Sequence, residues 1–160
     1  MARRNRVARA AARSSAAAVV EAHIADPNPT GPAGVVEAVQ GWSPTVARLA
    51  LGLVLLWFGL HELFQPSLWT GYVPGIAQTS ALALGMVLLH GWVLVLLGAA
   101  LMLGIAPRLA AAVSALLLLE IVLSLSFTGG LSDIVARDLG VFGLAVAVFA
   151  SDRQRLILRG

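Results

Sequence analysis

Six side chains in this chain can do acid–base or ion-pair chemistry inside an otherwise hydrocarbon-like sequence: His61, Glu62, His90, Glu120, Arg137 and Asp138. Glu120 is the costliest, because it lies within Ala115 to Phe127, ALLLLEIVLSLSF. An acid at the centre of a membrane span costs roughly 2.5–3.5 kcal/mol even on insertion scales, so it is paired, protonated or turned toward a cavity. Arg137, opening the last apolar segment, is the expected partner, and a buried Glu120–Arg137 pair would fix how two helices pack. A carboxyl that changes protonation is the alternative. Glu120, Ser124 and Thr128 share one helix face, a polar stripe that points to protein or water and away from lipid. Asp133, four residues before Arg137, competes for the same guanidinium.

The histidines admit similar pairs of readings. His61 and Glu62 lie near a helix end, from which ionisable side chains snorkel to water without special purpose. A histidine such as His90 in an apolar helix hydrogen-bonds a neighbour across a bundle. His61 and His90 could serve as an axial haem pair, but their depths differ by about six residues, roughly 9 Å of helix rise, which speaks against haem. Cysteine is absent, so the chain has no disulfide, thiolate nucleophile or cysteine metal site. No metal set and no catalytic residue is assigned.

The elements that position these groups are membrane helices. Of the 160 residues, 59% are hydrophobic and 12% charged, with a mean hydropathy of +0.88, a composition rare in soluble domains. Each span consumes about 20 residues, so the length limits the chain to one small bundle. Four apolar stretches are predicted to span, at about 45–64, 81–104, 109–127 and 134–150, within a domain over 44–151. Pro44 is expected to start the first of them. Residues 1–43 are expected to be a cytoplasmic Arg/Ala-rich tail, a Pro/Gly linker (DPNPTGPAG) and a short interfacial segment from Val35 to Trp42; residues 152–160 form a short basic tail. Arg3-Arg4 invites a twin-arginine signal reading, but the apolar run Ala16 to Val20 is too short for a signal core.

All eleven basic residues are arginines. Those of the tail, with Arg48, Arg108, Arg153, Arg155 and Arg159, fall on one side of a four-span arrangement, which makes both termini cytoplasmic by the positive-inside rule. In that topology the six ionisable groups collect in the outer half of the bundle. The uncharged loop Gln65 to Ser80, with Trp69 and Tyr72 between Pro66 and Pro74, can cap them as a lid. Gly52 and Gly59, Gly91 and Gly98, and Gly140 and Gly143 are small-residue faces that let helices approach closely, within one chain or in a homo-oligomer.

The first span ending in Trp57-Phe58-Gly59-Leu60-His61-Glu62-Leu63-Phe64, the loop motif WTGYVP and the Arg137-Asp138-Leu139-Gly140 opening of the last span resemble the DoxX family over roughly Pro44 to Ala150. Many family members carry a lysine where the first span here ends in Glu62, so a role tied to that basic residue does not transfer. The resemblance implies an all-α, four-helix protein of the bacterial plasma membrane. It also implies an accessory subunit that holds a quinone or a redox partner protein. A quinone head requires a hydrogen-bond donor at each carbonyl and a protonatable path, for which Arg137, His90, His61 and Glu120 are suitable types. A membrane scaffold and a small proton-coupled transporter are the alternatives. The lipid bilayer is the one partner that composition demands, and no nucleic-acid partner is expected.

Overall fold

A computed structural model describes residues 31–151 and 155–157, so the arginine-rich tail before residue 31, Arg153 and Arg159 lie outside the described residues. Four helices follow one another: α1 (Pro32–Phe64), α2 (Ala81–Leu103), α3 (Pro107–Gly129) and α4 (Asp133–Ala150). Two single 3-10 turns, Pro66–Leu68 and Thr70–Tyr72, lie between α1 and α2. No strand occurs among the described residues. Residues through Gly41 and residues from Trp42 form separate compact units. The helix packing and the cavity belong to the second.

Helix boundaries follow local chemistry. Ser80 and Ser132 cap α2 and α4, their hydroxyls accepting from the Ala83 and Val135 amides at 3.1 and 3.4 Å. Pro107 occupies the first turn of α3, where its missing N–H costs nothing. Gly104 ends α2 in the left-handed region (φ 73°), its N–H directed at the Ala100 and Leu101 carbonyls. The first helix departs from expectation. Pro44 does not start it but lies inside it, and the Val35 to Trp42 segment, expected to be a separate interfacial piece, is part of α1. Proline removes one intrahelical donor, yet a long apolar helix tolerates that loss where neighbouring groups satisfy the freed carbonyl.

Three helical segments, Gly34–Phe64, Ala81–Leu103 and Pro107–Phe127, are long and apolar enough to cross a membrane. The fourth helix, 18 residues long, carries Asp133, Arg137 and Asp138 in its first two turns. Leucines at seven-residue spacing face outward, Leu82, Leu89 and Leu96 on α2 and Leu109, Leu116 and Leu123 on α3, with Leu89 68% and Leu116 67% exposed. In water such stripes would form an apolar patch far larger than monomeric soluble proteins present; in a bilayer they meet lipid. The chain is an integral membrane protein by this measure.

The interior is made of small residues and close backbones. A Cβ on Gly59 would meet the Gly91 carbonyl at 2.7 Å, and one on Gly98 would meet the Gly52 carbonyl at 2.8 Å. α1 and α2 therefore run antiparallel, with Gly52 opposite Gly98 and Gly59 opposite Gly91. Gly140 and Gly143 have nothing within 4 Å of the corresponding position, so the groove expected on α4 is open, not packed. The core beside this seam joins Leu51, Leu55, Leu94 and Leu101 to Ala110, Ala111, Leu118, Ala145 and Val148 from α3 and α4. Arg108, in the first turn of α3, donates from Nε to the Phe149 carbonyl at 3.3 Å, which fixes α3 and α4 as antiparallel.

The pole where α1 and α3 lead in and α2 and α4 end is fastened by Arg48, which is 0% exposed. Its Nη1 donates to the Leu101 carbonyl at the end of α2. Its Nη2 donates to the carbonyls of Arg155 (3.2 Å) and Leu156 (3.1 Å). The Arg155 amide in turn donates to Thr45 Oγ1 at 2.9 Å, and the Arg155 guanidinium lies 4.9 Å from the Trp42 ring centroid. Leu156 adopts φ 57°, the left-handed region, which costs a non-glycine residue about 1–2 kcal/mol and here turns two successive carbonyls onto one guanidinium. No carboxylate pairs with Arg48 among the described residues; the negative end of the α2 dipole and the carbonyls offset its charge.

Candidate functional site

At the opposite pole the four helices and the Gln65–Ser80 loop enclose a cavity of about 400 Å³. That volume falls in the range of small-molecule sites, roughly 300–1,000 Å³. His61 and Glu62 enter from the last turn of α1, His90 from α2, Glu120 from α3, and Arg137 and Asp138 from the first turns of α4. Trp69 and Tyr72 line it from the loop. Leu55, Leu94, Leu118 and Val141 supply apolar wall between the polar groups. The structure thus brings all six ionisable candidates and both loop aromatics to one cavity.

The polar groups pair differently from expectation. Glu62 is buried, and its Oε2 lies 2.8 Å from His90 Nδ1. Gly91, beside His90, faces Gly59 and the Glu62 stem: a Cβ there would meet the Glu62 Cβ at 3.1 Å, so the glycine seam sets the distance between the helices that carry the pair. Arg137 donates from Nε to Asp138 Oδ1 at 2.9 Å, and its Nη2 lies 2.8 Å from the same oxygen. The expected Glu120–Arg137 pair is absent: Glu120 is exposed and has no ion-pair partner among the described residues. Asp138 is the buried acid of the two, 7% exposed, and it adjoins the arginine in the chain, so it captures the guanidinium. Asp133 does not compete; it is exposed in the first turn of α4, where the helix dipole favours an acid.

Aromatic rings hold the site together. The Arg137 guanidinium carbon stands 4.6 Å from the Phe58 centroid, a cation–π contact on the apolar side of the ion pair. His61 stacks on Trp57 at 6.2 Å and meets Trp69 edge-on at 5.9 Å, while Trp69 also contacts Phe58 edge-on and Tyr72 at a tilt, both at 5.9 Å. The loop is docked by Trp69 onto α1. His61 and His90 are thus engaged in separate contacts, one aromatic and one with an acid. Two nitrogens of cavity-lining side chains, His90 Nε2 and Trp69 Nε1, are buried without a hydrogen-bond partner among the described residues. Such atoms carry a desolvation cost of about 1–3 kcal/mol each until something satisfies them.

Arg48 is the buried clamping side chain that sequence reasoning placed without assigning it a contact. A signal for it exists: Thr45, Arg48, Gly52, Leu55, Gly59 and Glu62 recur at three- and four-residue spacing on one face of α1, and all are buried. The two charged members of that face sit at its ends, Arg48 in the pole clamp and Glu62 in the cavity.

Fold and site together define an all-helical membrane protein with a polar-headed, apolar-walled cavity at one pole. No protein-family model, no curated protein and no solved structure matches the chain.

Proposed function

We propose that the chain is a four-span protein of the bacterial plasma membrane, both termini cytoplasmic, whose outward-half cavity holds the head of a quinone-class lipid on behalf of a redox partner protein. The carrying observation is the pair of buried, unpartnered nitrogens, His90 Nε2 and Trp69 Nε1, on two of the side chains that line a cavity of about 400 Å³. The two opposed ring oxygens of a quinone-class head, as carbonyl or hydroxyl, are the hydrogen-bonding atoms that these nitrogens can engage, Phe58 and Leu94 offer apolar surface to its ring, and Arg137 adds a fixed positive charge near an oxygen. Arginine placement supports the sidedness, and the resemblance to DoxX proteins over the helical region supports the redox association.

Protein purified in mild detergent should carry extractable quinone, and Trp69→Phe together with His90→Phe should abolish that retention. Absence of quinone, with no binding of added quinone, would refute the proposal and favour a scaffold, the reading to which the α1–α2 glycine seam lends itself. Sidedness has its own test, eased by the cysteine-free sequence. A single cysteine at Gly75 should react with a membrane-impermeant maleimide in intact cells and one at Ile105 should not; the reverse pattern overturns the orientation.

A further inference from the structure

The Glu62–His90 pair has a direction. A carboxylate oxygen only accepts hydrogen bonds, so in the neutral imidazole the 2.8 Å contact from Glu62 Oε2 to His90 Nδ1 assigns the hydrogen to Nδ1 and leaves the lone pair on Nε2. Glu62 is 5% exposed, and the glycine seam holds the helix that carries it close against α2, the helix of His90. The imidazole is held in one tautomer, as metal-bound histidines are held by an outer carboxylate. Nε2 is buried and unpartnered, and in that neutral tautomer it is an acceptor. Trp69 Nε1, the other unpartnered nitrogen, can only donate.

We infer that the cavity is selective for a head that donates an O–H to His90 Nε2 and accepts from Trp69 Nε1, so that it binds the hydroquinone form in preference to the quinone. This rests on the proposed function above. A quinone satisfies Trp69 through either carbonyl but sets a second oxygen lone pair against the lone pair of Nε2. A hydroquinone satisfies both nitrogens, because each hydroxyl both donates and accepts. Arg137 donates to either form and does not discriminate. Glu62 is a positioning residue here: it touches no ligand and acts through the tautomer of His90.

The test is calorimetric titration of the full-length protein in detergent with a short-chain benzoquinol under argon and with the matching benzoquinone. One hydrogen bond gained against one lone-pair conflict predicts binding of the quinol tighter by about tenfold or more. Tenfold preference for the reduced form raises the potential of the bound two-electron couple by about 30 mV, an independent readout. Glu62→Gln should bring the two affinities to within about twofold, since an amide can donate to Nδ1 and let Nε2 carry the hydrogen. Trp69→Phe should weaken both forms alike and preserve the ratio. Equal or tighter binding of the quinone by the wild-type protein overturns the inference while leaving the proposed function standing, as does a ratio unchanged by Glu62→Gln. Failure of both forms to bind overturns the proposed function and the inference with it.

Discussion

Adding one methyl group at Gly59 measures how closely α1 and α2 must approach. A Cβ at that position would sit 2.7 Å from the Gly91 carbonyl, 2.8 Å from the Val95 amide nitrogen and 2.9 Å from the Leu94 Cβ. Ordinary contact begins at 3.4 Å. The shortfall is about 0.7 Å against the backbone, which no rotamer change can absorb, so the helices must part locally and forfeit dispersion contacts along the seam. Overpacking of this kind costs about 1–3 kcal/mol. Gly140→Ala on α4 is the internal control, because nothing lies within 4 Å of its Cβ position. Both changes share the gain of about 1 kcal/mol from replacing glycine by alanine in a helix. The difference between the two variants therefore isolates the contact, and Gly59→Ala should be less stable than Gly140→Ala by about 1–3 kcal/mol. Unfolding in lipid nanodiscs, followed by far-ultraviolet circular dichroism, provides the assay. Gly91→Ala should in addition weaken ligand binding, because its Cβ meets the Glu62 stem at 3.1 Å. Equal stability of Gly59→Ala and Gly140→Ala would refute the close approach and with it the account of how Glu62 is held against His90.

Arg48→Met should free the carbonyls of Arg155 and Leu156 and cost about 2–3 kcal/mol, seen as faster proteolysis and amide exchange of residues 155–157 at unchanged helix content. Glu120→Gln should change stability by less than about 0.5 kcal/mol, because the carboxylate is exposed and has no ion-pair partner among the described residues; a loss above about 2 kcal/mol would restore a buried ion pair. The double exchange of Glu120→Arg with Arg137→Glu should show no mutual rescue in a double-mutant cycle. Asp138→Asn should lower stability by about 1–2 kcal/mol, measured by the same unfolding assay, because it withdraws the anion that both Arg137 nitrogens contact.

Depth along a helix is readable from sequence and azimuth is not, and the site shows both. Counting residues from the helix ends placed His61, Glu62, His90, Glu120, Arg137 and Asp138 at one pole, and the structure sets all six on one cavity. Pairing depends on the direction each side chain takes around its helix. Glu120 shares a level with His90 yet is exposed, while Glu62, at a helix end and expected to reach water, is buried by the face it shares with Gly59 and Leu55. The bounds of α2, α3 and α4 fall within two residues of the predicted spans, and Ser80, Gly104, Pro107, Gly130 and Ser132 punctuate them chemically. The start of α1 was not, because a proline that opens a helix and a proline inside an apolar one are the same letter, and only tertiary packing separates them. Arg48 was hidden for a further reason: its partners are main-chain carbonyls, which carry no side-chain signature, and two of them lie more than a hundred residues away.

That separation gives the clamp a place in time. Arg155 follows Arg48 by 107 residues. At synthesis rates of about 5–20 residues per second, the guanidinium emerges roughly 5–20 s before the carbonyls that two of its bonds require. Throughout that interval α1 carries into the bilayer a cation whose pole is unfinished. Docking of residues 155–157 is the step that completes the pole, so fastening is deferred until α4 has been made. Newly inserted chains that have not yet closed should be recognisable by a protease-sensitive carboxyl-terminal segment, and a bulky domain fused close behind Ile157 should prolong that state.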